Sequence, residues 1–71
     1  MNDAVYRKTE IVGSSNEGLQ QAIEAGIARA RETFRNLDWF EVTEIRGFVG
    51  DDKGGSPQYW QVGMKVGFRL E

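Results

Sequence analysis

The chain has 71 residues, no cysteine and no histidine, and a formal charge of −2 from nine basic and eleven acidic side chains. Those absences exclude disulfides, thiolate metal sites, a thiol nucleophile and the usual general base near neutral pH. One core of this size supplies only ~3–5 kcal/mol, so self-association is the stabilising route left.

The basic residues are scattered and form no block, which argues against nucleic acid as a partner. Met1-Asn2-Asp3 lacks the basic start and apolar run of a secretory signal. No apolar stretch approaches the ~18–20 residues of a membrane span. The expectation is a single domain over 1–71, cytoplasmic, with no membrane partner.

Residues 4–12 are rich in β-branched and aromatic side chains and predict a first strand, ended by Gly13. Ser14 stands three residues before Glu17, the spacing of a capping box. From Asn16 to about Asn36 the period changes. Leu19, Ile23, Ile27, Ala30, Phe34 and Leu37 recur at three- and four-residue steps and predict one apolar stripe of a long helix. Ala22 and Gly26 flank that stripe with small side chains.

A second strand is expected from Trp39 to about Val49, followed by a glycine-rich turn over 50–57. The last strand, 58–70, alternates cleanly. Trp60, Val62, Met64, Val66, Phe68 and Leu70 share one face, expected to cover the helix, with Trp60 packing into the core. The order β-α-β-β, with a helical crossover and then a hairpin, predicts an α+β fold. Its sheet has three antiparallel strands in the order 1-3-2, wrapped on one long helix.

In strand two, Phe40 and Val42 have one parity, while Ile45 and Val49 have the other. Either a bulge near Thr43 or Glu44 resets the register, or both faces of this strand are covered. Under both readings Trp39 points away from the helix, as does Gln61 in strand three. With the bulge, Arg46 joins them, and Arg69 lies further along the same face.

An indole plane, a carboxamide and guanidinium groups suit a flat, hydrogen-bonding, phosphorylated ligand. Each residue alone has a plainer explanation. Trp39 would serve as interface packing, Gln61 as a solvated amide, and the arginines as surface charge. Their common face is what points to a ligand. Other motifs carry less. The 13–18 link lacks a P-loop lysine, Asp51-Asp52 does not make a calcium loop, and Arg29, Glu32 and Arg35 read as an ion-pair row.

Leu37-Asp38-Trp39-Phe40-Glu41-Val42, then Glu44-Ile45-Arg46-Gly47, Gln61-Val62 and Val66-Gly67-Phe68-Arg69-Leu70, closely resemble the bacterial dodecins. Val5-Tyr6-Arg7-Lys8, Ile11-Val12-Gly13-Ser14-Ser15 and Ala28-Arg29-Ala30 match as well, so the likeness spans nearly the whole chain. The resemblance implies a hollow homododecamer that stores and sequesters flavin, FMN or riboflavin. Paired isoalloxazine rings would stack between symmetry-related tryptophans and be quenched by them. It assigns Trp39 to the stack, Gln61 to the ring edge, and Arg46 and Arg69 to the surroundings of the flavin and its phosphate. It also implies coenzyme A as a second nucleotide ligand, with Tyr6 and Arg29 as its candidates.

No catalytic residue and no metal are expected, and the protein is not read as an enzyme. A flavin-dependent oxidoreductase would need a proton donor near an open ring; Asp38, Glu41 and Glu44 are the nearest candidates, and nothing arranges them as a pair. A purely structural shell is the other alternative, with Trp39 merely sealing an interface.

Overall fold

The computed structural model describes residues 3–50, 54 and 57–70. Its elements are β1 (Tyr6–Ser15), α1 (Leu19–Thr33), β2 (Leu37–Phe48) and β3 (Tyr59–Arg69). The sheet has the order β1-β3-β2, with β3 antiparallel to both neighbours, as the sequence predicts. The turn expected over 50–57 lies largely outside the described residues.

The helix is shorter than its periodicity suggests. It starts at Leu19 behind Gly18, which makes no side-chain cap, and ends at Thr33. The expected capping box is absent because β1 continues through Gly13 to Ser15. Ser15, not Ser14, takes the local hydrogen bond, its Oγ accepting from the Glu17 N–H at 2.9 Å. A Cβ at Gly13 would collide with the Ala22 carbonyl, so only glycine lets this strand run so close to the helix.

At the other end, Phe34 leaves the helix with extended dihedrals and stacks on Phe68, ring centroids 4.9 Å apart. Asn36 then takes a left-handed turn at φ 61°, a conformation its short amide tolerates. Phe34 and Leu37 therefore belong to the exit and to β2, not to the helical stripe.

The stripe itself is rotated. Ala22, Gly26 and Ala30 are the buried line facing the sheet, while Leu19, Ile23 and Ile27 are only partly covered. Small residues at four-residue steps let the backbones approach. The buried apolar side chains are Ala22, Ala30, Val62, Met64 and Val66. Trp60 has the expected parity but is half-buried against Gly47 and outside this cluster, which stops at Val62; the expectation of core packing is corrected.

Two irregularities shape β2. Val42 pairs with Met64 and Glu44 with Gly63, leaving Thr43 as an extra residue. Phe40, Val42 and Ile45 consequently all lie opposite Val66, Met64 and Val62, on the helix side. A second shift leaves Asp38 extra between Leu37 and Trp39, so Leu37 turns to the core and Trp39 away from it.

The helix lies mainly over β1 and β3 and barely touches β2. Phe40, Val42 and Ile45 are thus 47%, 39% and 60% exposed although they face the helix side. The radius of gyration is 15.0 Å, against about 11 Å for a compact domain of this length. Among the described residues no helix is long and apolar enough to cross a membrane.

Candidate functional site on the helix-free face

The ladder assigns the other face of the sheet row by row. Tyr6 lies opposite Arg69; Trp39 and Lys8 flank Gly67; Glu10 and Glu41 flank Lys65; Val12 and Glu44 flank Gly63; Ser14 and Arg46 flank Gln61. Trp39, Arg46, Gln61 and Arg69 therefore share a face, as their parity predicts. They do not converge. Trp39 is level with Gly67, six residues along β3 from Gln61, and six strand residues span about 20 Å.

The face thus has two ends, divided by the charged row through Lys65. At the aromatic end the Trp39 indole lies directly over Gly67, where a Cβ would strike the ring. Gly67 makes the flat seating possible. The Tyr6 ring stands 6.4 Å from the indole at 45°, and its hydroxyl donates to Asp38 Oδ2 at 2.7 Å. That hydrogen bond, helped by burial and the Asp38 charge, raises the Tyr6 phenol above its ordinary value of 10.0, against the opposing pull of Arg69. The indole remains 37% exposed, so its outer face is open to a partner ring.

At the amide end four side chains form a chain across all three strands. Arg46 donates from Nη2 to Glu44 Oε1 at 2.9 Å and from Nη1 to Gln61 Oε1 at 3.1 Å. Gln61 in turn donates from Nε2 to Ser14 Oγ at 3.3 Å. The Arg46–Glu44 pair is exposed and contributes little to stability; its role is positional.

Among the described residues, Arg69 makes no side-chain hydrogen bond or ion pair, unlike Arg46. Tyr6 stands beside Trp39 on the helix-free face, whereas Arg29 belongs to the helix on the other side of the sheet. One chain does not bring those two together.

Ser14, Asp38 and Glu44 are site residues to which sequence reasoning gave no binding role. Ser14 was absorbed by the capping motif, although continuing the parity of Tyr6, Lys8, Glu10 and Val12 through Gly13 would have placed it beside Gln61. Asp38 owes its place to a bulge that no local signal marks.

Comparison with known proteins agrees with this fold. A family model described as Dodecin matches residues 5–71. A curated relative, dodecin from Thermus thermophilus, is 60% identical over 67 residues, covering 94% of this chain and 93% of its own. The solved dodecin of Streptomyces davaonensis superposes with a TM-score of 0.89 at 56% identity, over 99% of this chain and 98% of that one. The dodecin of Streptomyces coelicolor gives 0.88 at 51% identity, over 100% and 97%. With a shared fold and a match along nearly its whole length, this chain belongs to the dodecin family.

Proposed function

We propose that the chain binds flavin, FMN or riboflavin, and that it stores and sequesters it in the cytoplasm as a homododecamer. The observation that carries this reading is the separation of the two ends of the helix-free face. A flat ring system about 10 Å long cannot lie on Trp39 and present its edge to Gln61 of the same chain, about 20 Å away. The indole of one copy and the carboxamide of another must meet around it.

Three features support the fit of a flavin. The indole offers an open plane, and stacking adds about 0.5–1.5 kcal/mol per aromatic pair beyond burial. The Gln61 amide offers donor and acceptor to a heterocycle edge whose groups would each cost about 1–3 kcal/mol if buried unpaired. Arg69, whose side chain makes no hydrogen bond or ion pair among the described residues, suits a phosphate, which favours FMN, while Arg46 is occupied in holding Gln61. A bound flavin supplies a light-absorbing, redox-active ring, and an indole in contact quenches its emission by electron transfer.

Assembly is supported by the bare apolar strip of β2 and by the extended protomer. Storage is favoured over turnover because a ring stacked on both faces leaves no approach for a second substrate. Tyr6 and Arg29 would hold coenzyme A only if drawn from different copies.

The test is an absorption and emission spectrum of the purified protein before and after unfolding. A yellow protein with weak flavin emission that rises on denaturation is expected. A colourless protein that takes up no added flavin would refute the reading, and steady NADH oxidation lost with Trp39→Ala would replace storage with catalysis.

A further inference from the structure

The hydrogen bonds around Gln61 use particular valences of its amide. A primary carboxamide has two lone pairs on oxygen and two N–H bonds. Arg46 approaches Oε1 from the β2 side, and Ser14 Oγ accepts from Nε2 on the β1 side. Both are flanking positions, set by strands that border β3 on either side. The outward edge keeps one lone pair and one N–H side by side. Arg46 does not tolerate the flipped amide, because a guanidinium has no acceptor for an N–H; the Ser14 hydroxyl, which donates or accepts, holds the other side of the amide in plane.

We propose that Ser14 is a positioning residue. Arg46 sets the flip of the Gln61 carboxamide and Ser14 holds its plane, so that its free edge forms a fixed acceptor–donor pair selective for a ligand with adjacent N–H and C=O groups. An imide is the matching chemistry, and the flavin ring carries one at N3. The inference rests on the flavin reading above and extends it to how the ring is chosen and which way round it sits. A hydroxyl held at 3.3 Å costs little to order, because it sits on a strand and not on a loop.

The experiment compares riboflavin with 3-methylriboflavin, whose imide N–H is blocked, by fluorescence titration of the full assembled protein. The wild-type chain should prefer riboflavin by about 30-fold or more, the value of losing one buried paired donor–acceptor edge. Ser14→Ala should weaken riboflavin about fivefold and leave the methylated ring almost unchanged, so the preference shrinks. Ser14→Thr, which keeps the hydroxyl, should restore it.

Assembly size by light scattering is expected to be the same in all three. An equal loss of both ligands in Ser14→Ala, or no loss at all, would overturn the positioning role while leaving flavin binding intact. A wild-type chain that binds neither ligand would overturn the flavin reading and this inference together.

Discussion

The two ends of the helix-free face are built on different principles. At the aromatic end Trp39 is held by contact: its ring rests on bare backbone at Gly67 and beside the Tyr6 ring. At the amide end Gln61 is held by direction, through hydrogen bonds from one neighbouring strand and to the other. Contact suits a π-face, which needs a plane and tolerates sliding. Directed bonds suit a ring edge, where a misplaced donor is lost. If the proposed flavin binds here, the contrast teaches that its recognition would be divided between two stations on the same sheet, too far apart to serve it from one chain.

The sharpest way to break that comparison is to separate the copies while leaving both stations intact. Ile45→Glu places a charge on the bare apolar strip of β2. It should dissociate the assembly by light scattering and reduce flavin affinity by more than about 1,000-fold, since a buried unpaired charge costs several kcal/mol. Undiminished binding by isolated protomers would show that one chain suffices.

Next in size is Trp39→Ala. Loss of the stacking plane and of its buried area should cost about 3–4 kcal/mol, or some 100- to 1,000-fold in affinity, with the assembly preserved. Gln61→Leu removes the edge contact and should cost about 10- to 100-fold by titration, less than the tryptophan because the stacking stays intact.

A smaller effect separates the arginines. Arg69→Ala should weaken FMN about 10-fold yet leave riboflavin nearly unchanged, because its guanidinium suits a phosphate. Arg46→Ala should weaken both alike, because it holds Gln61.

The smallest expected effect is electrostatic. Asp38 raises the Tyr6 phenol, so the folded state favours the neutral ring. The stabilisation is complete below the ordinary value of 10.0 and is lost as pH rises through the raised folded value. Absorbance titration in a Tyr59→Phe background should find the Tyr6 phenol ionising at lower pH once Asp38 is changed to Asn.

What the sequence made legible was whatever periodicity alone decides. Strand β3 alternates without interruption and reads correctly, and its central place follows from that alternation. The parity conflict between Val42 and Ile45 left a bulge or a doubly covered strand open, and the ladder decides for a bulge at Thr43. Failures came where tertiary contact overrode a local pattern. The three- and four-residue spacing of Phe34 and Leu37 mimicked helix, but a stack on Phe68 and a place in β2 won. Ser14 carried a capping spacing, yet Gly13 allowed the strand to run on and take Ser14 to Gln61. The spacing between Trp39 and Gln61 was equally hidden, because a shared face says nothing about distance along it.

One feature of β2 binds both stations to the same backbone accident. Each supernumerary residue, Asp38 and Thr43, inverts the inside–outside phase of everything downstream. Between them they send Leu37 inward, Trp39 outward, and later Ile45 inward and Arg46 outward. Were Thr43 paired in a regular ladder and not bulged out, isoleucine would stand opposite the carboxamide that arginine now steadies, and a guanidinium would press against the apolar layer. The strand is therefore a reading frame in space, and its two bulges are as much a part of the candidate site as the side chains they aim.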